Sequence, residues 1–131
     1  MGMHSVSRLI SIVDDNFLVR EGLISLLRSA GFTTQAYASA EEFLSRAQRD
    51  EIACLILDVR LPGISGLELQ SQLSAMVSNH RTPVVFMTAR DDEAARQQAL
   101  KAGAVDFLRK PVRSEALLNA VNVALQQNDG P

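Results

Sequence analysis

Cysteine is almost missing from this chain. Cys54 is the only one among 131 residues, so no internal disulfide can form. Its place inside the apolar run Cys54-Leu55-Ile56-Leu57 marks an inert buried thiol rather than a nucleophile. A basic excess is lacking as well: the formal net charge of −2 supplies no field for a nucleic-acid backbone. No apolar stretch approaches the ~20 residues of a membrane span, and Met1 to Ser7 hold no hydrophobic leader core and read as a mobile start. These absences predict a soluble, cytoplasmic protein with no membrane contact and no direct nucleic-acid binding. Repeats, low-complexity segments and long charge runs are absent too, and 131 residues leave room for one well-buried core but not for a second domain. With 47% hydrophobic and 21% charged residues, the composition is that of an ordinary globular domain, neither disordered nor disulfide-stapled. One domain over 1–131 is expected, its core at about 7–126, with 127–131 a polar tail that is either a natural end or the stub of a linker.

What is present is a set of apolar runs that each end in polar residues. Leu9-Ile10-Ser11-Ile12-Val13 ends in Asp14-Asp15, and Cys54 to Leu57 ends in Asp58, with Pro62, Gly63 and Gly66 close behind. Val84-Val85-Phe86-Met87 ends in Thr88-Ala89, and Ala104 to Leu108 leads to Lys110-Pro111. Between the runs, apolar residues recur at helical spacing, as in Val19, Leu23, Leu26, Leu27 and Ala30, closed by Gly31, and in Leu117, Leu118, Val121 and Leu125. Ser39 with Glu42, and Ser65 with Glu68, read as capping boxes. The pattern predicts strands near Leu9 to Val13, Thr33 to Tyr37, Cys54 to Leu57, Val84 to Met87 and Asp106 to Leu108. Helices are predicted near Phe17 to Ala30, Glu41 to Arg49, Gly66 to Val77, Asp92 to Ala102 and Ser114 to Leu125. Such alternation argues for a parallel sheet covered on both faces by right-handed crossovers. Periodicity leaves the strand order open, although Thr33 to Tyr37, short and half polar, suits an edge.

Ligands of open α/β sheets bind at the carboxyl ends of the strands, so Asp14, Asp15, Asp58, Thr88 and Lys110 are expected to converge. Carboxylates gathered there repel one another, and a cation removes the conflict. Hard oxygen donors with no nearby His or Cys favour Mg²⁺, which also leaves room for a phosphate oxygen. An ionised Asp beside it can attack phosphorus and form an acyl phosphate, with Thr88 and Lys110 holding the phosphoryl oxygens. Taken singly, each residue has a plainer explanation. Asp14 and Asp15 could cap a helix, Asp58 could form a turn, Thr88 could bond back within its loop, and Lys110 could be solvated. Five suitable residue types after four strands are much harder to explain that way.

At these residues the sequence resembles the receiver domains of bacterial two-component response regulators. The motifs are Asp14-Asp15, Leu57-Asp58-Val59-Arg60-Leu61-Pro62-Gly63, Ser65-Gly66-Leu67-Glu68-Leu69, Met87-Thr88-Ala89, and Gly103-Ala104-Val105-Asp106-Phe107-Leu108-Arg109-Lys110-Pro111. The resemblance extends over about Ser7 to Gln126. It implies a flavodoxin-like, doubly wound five-stranded sheet of order 2-1-3-4-5 with five helices, and phosphorylation of Asp58 by a partner sensor histidine kinase. It further implies that Asp15, Asp58 and the backbone carbonyl of Arg60 bind Mg²⁺, that Asp14 acts on the ion through a water, and that Lys110 pairs with the phosphate. Thr88 and Phe107 would form the switch pair. Many receivers carry Tyr at the latter position, so movement of Phe107 would be governed by packing rather than by a hydroxyl. Arg60 and Arg90 stand two residues after Asp58 and Thr88, positions that line the path of water and so bear on phosphate lifetime. Pro111 is expected to follow a cis bond that turns Lys110 back toward Asp58. The wording Asp-Val-Arg-Leu-Pro and Gly-Ala-Val-Asp-Phe is most similar to receivers that precede a LuxR-type helix-turn-helix.

The expected function is a phosphorylation-controlled switch acting on an output domain or partner, most simply in transcription, rather than a turnover enzyme. A phosphorylation-dependent homodimer would use the face formed by the fourth helix, fifth strand and fifth helix. A free-standing phosphorelay protein is the alternative within that class. A phosphohydrolase with an aspartyl nucleophile, like the haloacid dehalogenases, lacks its second Asp, since Arg60 occupies that place. A dinucleotide-binding module lacks its glycine-rich turn, since Val13-Asp14-Asp15-Asn16 stands there.

Overall fold

Five short strands pair in parallel in the order β2-β1-β3-β4-β5. They are β1 (Leu9–Val13), β2 (Thr33–Tyr37), β3 (Ile52–Asp58), β4 (Val84–Thr88) and β5 (Asp106–Arg109). The helices between and after them are α1 (Phe17–Ser29), α2 (Ala40–Arg46), α3 (Gly66–Ala75), α4 (Glu93–Lys101) and α5 (Ser114–Asp129). The structure is a computed structural model and describes residues 8–47, 52–76 and 82–129. This is the flavodoxin-like arrangement expected.

The two-residue period of the strands sorts their side chains into two cores. On one side Ile10, Ile12, Cys54, Ile56, Val85 and Met87 pack against Leu23 and Leu27 of α1 and Leu117, Val121 and Ala124 of α5. On the other, Val13, Leu55, Leu57 and Phe86 pack against Phe43 of α2, Leu69 of α3, and Ala95 and Ala99 of α4. Every residue of β3 is buried, as the central strand of a sheet covered on both faces must be. β2 alternates between exposed and half-buried positions up to a buried Tyr37 and forms one edge.

Local signals set the helix ends. α1 closes on a Schellman turn, with Gly31 at φ 91° and N–H bonds from Gly31 to the Arg28 carbonyl and from Phe32 to the Leu27 carbonyl. Ser65 and Glu68 form the full capping box. Ser39 caps α2 through the Glu42 N–H, but the Glu42 carboxylate accepts from Ala38 N–H at 2.8 Å, one residue earlier than a capping box requires.

Element lengths depart from expectation in ways that matter for the site. β3 begins at Ile52 and includes Asp58, β4 includes Thr88, and β5 includes Arg109. The acid and the hydroxyl therefore belong to the last rungs of the ladder, where Asp58 is in register with Met87 and Thr88 with Arg109. α2 ends at Arg46, because past Leu44 no large apolar side chain holds a further turn, and Ala47 packs on the core from extended backbone. The stretch to Arg49 lies outside the described residues, as do Met1 to Ser7 and the expected end of α3 at Val77; the described helix stops at Ala75. α5 continues beyond Leu125 to Asp129, so the first part of the expected tail is helical. Gln126 and Gln127 are good helix formers, and the first breaker is Gly130.

Candidate functional site

Each site residue is positioned by a strand end and by backbone bonds just beyond it. Asp14 follows β1, donates its backbone N–H to the Tyr37 carbonyl, and accepts the Asn16 N–H at 2.8 Å on Oδ1. Neither Asp14 nor Asp15 caps α1. That task falls to Asn16, whose Oδ1 accepts from Leu18 and Val19. An Asn just before a helical stripe is an N-cap signal that the sequence carried in plain form. Arg20 reaches back from α1 to donate to the Asp14 carbonyl at 2.8 Å, which fixes the loop from one helical turn away.

Asp58 ends β3, and Val59 N–H continues the ladder to the Met87 carbonyl. Its Oδ1 accepts from Arg60 N–H at 3.2 Å, so the turn-forming reading of this acid is correct as far as it goes. Gly66 comes so close that a Cβ there would fall on the Asp58 carbonyl oxygen, while its N–H bonds the Val59 carbonyl. The glycine lets α3 start directly against the end of β3. Thr88 Oγ1 accepts from Arg90 N–H at 3.2 Å, the bond back within the loop, and the residue is only 2% exposed.

Lys110 binds the cluster together. Its ammonium donates to Asp14 Oδ2 at 2.6 Å and to Asp58 Oδ2 at 3.1 Å, across a distance of 96 and 52 residues in sequence, and so is not a solvated surface charge. The Lys110–Pro111 peptide bond is cis. Burial raises the pKa of Asp58 above the ordinary carboxylate value, and the neighbouring Asp14 charge adds to this against the pull of Lys110. Burial works against the Lys110 charge in turn, but the hydrogen bonds to Asp14 and Asp58 outweigh it and hold the ammonium above its usual value. The site is a pair of buried carboxylates sharing one cation.

A metal fits the donor set. Asp14, Asp15 and Asp58 each bring a carboxylate oxygen within 4.8 Å of the others, Asp14 and Asp58 from the interior and Asp15 from the exposed rim. Two or three negative oxygens against one ammonium leave charge for a divalent ion, and oxygen-only donors suit Mg²⁺.

The remaining expected residues sit around this centre. Phe107 is half-buried, its ring 6.0 Å from that of Phe86 at 39°. It lines with Thr88 an open cavity of about 220 Å³ beside the β4–α4 loop. Arg90 is exposed at its rim. Arg60 turns its guanidinium toward Asp92, with an N···O distance of 3.3 Å. Asp91 and Asp92, which pair with Arg109 and Arg60, had not been expected to take part. The cap signal of Asp92 before α4 was visible in the sequence, but its ion pair spans 32 residues and needs the fold.

An open α/β sheet with three acids and a lysine at its carboxyl edge defines a class of signalling domain, and comparison with known proteins gives the family. A model of the response regulator receiver domain matches residues 10–122. Nodulation protein W of Bradyrhizobium diazoefficiens is 40% identical over 124 residues, covering 95% of this chain and 54% of that protein. Response regulator protein TodT of Pseudomonas putida is 42% identical with the same coverage of each, 95% and 54%. The solved structure of response regulator StyR superposes with a TM-score of 0.85 at 46% identity, over 94% of this chain and 61% of that one. Full-length FixJ from B. japonicum gives 0.83 at 34% identity, over 95% and 60%. The chain belongs to the response regulator receiver domain family, the signal-receiving part of two-component systems. It spans about half the length of the curated relatives it matches, several of which are transcriptional regulators. Among the described residues no helix is long and apolar enough to cross a membrane.

Proposed function

We propose that Asp58 accepts a phosphoryl group from a sensor histidine kinase and that the acyl phosphate switches the output of the whole protein. The observation that carries this reading is Lys110, held between the buried Asp14 and Asp58 at the end of the sheet. An Asp58 oxygen attacks phosphorus, the bond to the donor imidazole breaks, and the nitrogen keeps the electron pair. Lys110 exchanges its carboxylate partner for a phosphoryl oxygen, and the Thr88 hydroxyl, kept at the edge by the ladder, donates to another. Asp15, Asp58 and the Arg60 carbonyl would hold Mg²⁺, with Asp14 acting through a water, and the ion supplies the positive charge that offsets the converging anions. Such a domain assists its own phosphorylation and dephosphorylation and turns over no other substrate.

The kinase must cover the mouth of this pocket to bring its histidine to Asp58. Phe17 and Leu18, 60% and 78% exposed at the start of α1, offer apolar surface directly after the acid loop. On the other side, Thr88 and Phe107 share one cavity, so a change at Asp58 reaches the α4, β5 and α5 face by direct packing. Output through that face, as a phosphorylation-dependent homodimer or by docking, is the proposed consequence. The length of the matched relatives supports a regulator with an effector domain over a free-standing relay; an effector of the LuxR helix-turn-helix class and a cytoplasmic location complete the proposal.

Intact-mass measurement with Mg²⁺ and acetyl phosphate tests the chemistry. One phosphoryl adduct is expected on the wild type and none on Asp58→Asn; an adduct that persists on the variant assigns the acceptor elsewhere.

A further inference from the structure

Two arginines hold the β4–α4 loop, and each neighbours a site residue. Arg60, two residues past Asp58, places its guanidinium 3.3 Å from Asp92 Oδ2. Arg109, adjacent to Lys110, pairs with Asp91. Asp92 has a second attachment through its other oxygen, since Oδ1 accepts the Ala95 N–H at 3.0 Å and caps α4. One carboxylate thus links the segment after the phosphoacceptor to the first turn of α4.

We propose that Asp92 is a positioning residue for the chemistry at Asp58: its ion pair holds the Arg60 guanidinium away from the acceptor and ties the state of Asp58 to the N-terminus of α4. The proposal rests on the reading of Asp58 as phosphoacceptor. Arg60 is anchored beside Asp58 by its backbone N–H, 3.2 Å from Oδ1, so only its side chain is free to choose a partner. Two anionic destinations are then within its range, the Asp92 carboxylate and a phosphoryl group that carries roughly −2 charge. The side chain of Arg60 is 56% exposed and that of Asp92 28%. A pair so open to water is weak, and a dianion competes with it effectively. The pair is not locked in place by packing either. Arg60 and Asp92 both border an open groove of about 330 Å³ lined also by Val59, Leu61, Leu67 and Ala95, so the guanidinium can leave Asp92 without disturbing packed core. When it leaves, Asp92 keeps its cap but loses its counterion, while the Arg109 pair with Asp91 still fastens the start of the loop to β5.

Asp92→Asn separates the two tasks, because asparagine caps a helix as well as aspartate does but carries no charge. With Arg60 released toward the phosphoryl group and covering it against water, the phosphorylated state should live about two to five times longer, the range of an exposed ion pair. The test follows loss of the acetyl phosphate adduct by intact mass in the wild type, Asp92→Asn, Arg60→Ala and the double variant. The expected result is a longer life for Asp92→Asn that shrinks at high salt and disappears when residue 60 is alanine. Asp92→Ser, another uncharged cap, should match Asp92→Asn; if the two diverge, capping and not the ion pair sets the lifetime, and the proposal fails. An Asp92→Asn effect that is absent, or equally large without Arg60, overturns it while leaving the phosphoacceptor in place. No adduct on the wild type removes the Asp58 reading itself, and the proposal with it.

Discussion

Asp58 works against the stability of the protein at neutral pH. Its pKa in the folded state is raised by burial first and by Asp14 second, so the fold binds its proton more tightly than the unfolded chain does. The stability this contributes is present below the ordinary carboxylate range and is lost as pH rises through the raised folded value. As pH rises this contribution is lost, so Asp58→Asn, measured without Mg²⁺, should gain in stability relative to the wild type toward neutral pH. Below pH 3 the gap should close. Thermal melts across that range check it, and equal melting temperatures at pH 7 would show that Lys110 fully compensates the buried charge. Arg60 and Arg90 act at the same scale. Replacing both by Ala should change the dephosphorylation rate several-fold while leaving Mg²⁺ affinity within about twofold, because Arg60 is proposed to meet the ion through its carbonyl. An unchanged rate returns both guanidinium groups to plain surface charges.

The elements turn these side chains into a site by holding their backbones. Gly66 is the tightest point, since a Cβ there meets the Asp58 carbonyl. Gly66→Ala must therefore push α3 off the end of β3 or displace Asp58, and a loss of about 2–4 kcal/mol is expected. Gly22, in the middle of α1, has open space where its Cβ would go. There the same substitution should stabilise by about 0.5–1 kcal/mol, the ordinary helix gain. Urea midpoints of the two variants measure both, and a mild effect at Gly66 would mean that the β3–α3 turn is looser than its hydrogen bonds suggest. The strands bear equally on the chemistry. Asp58 and Thr88 are the last residues of β3 and β4, so ladder bonds rather than a loop set the positions of the proposed nucleophile and of the hydroxyl.

At the scale of the molecule, the sheet order brings Asp14, Asp58, Thr88 and Lys110 to one edge from adjacent strands, with the proposed output face alongside. A phosphoryl group that contributes about 1.4 kcal/mol of differential binding shifts a two-state equilibrium roughly tenfold. Adding a beryllofluoride mimic with Mg²⁺ should therefore raise the mass seen by light scattering, and amide exchange should change in α4 and α5. If mass and exchange both stay constant there, the output face lies elsewhere and a relay without self-association becomes the better account.

The amino-acid sequence by itself determined the alternation of strands and helices, the positions of the acids, Thr88 and Lys110 at strand ends, and the family. The reason is local: two-residue and 3.6-residue periods, caps and glycines act over a few neighbours, and the motif residues stand next to the runs that place them. It did not determine that Lys110 would bridge Asp14 and Asp58, that Arg60 would turn to Asp92, or that α2 would stop at Arg46. Nor did it show that Glu42 would bond to Ala38 instead of completing its box. Strand order was legible only through resemblance, because periodicity says which face a side chain takes but not which strand lies beside it. The ion pairs join residues 32 to 96 positions apart, and their partners are chosen by the stacking of the sheet and by competition among several charges for one space. Those choices exist only once the chain has folded.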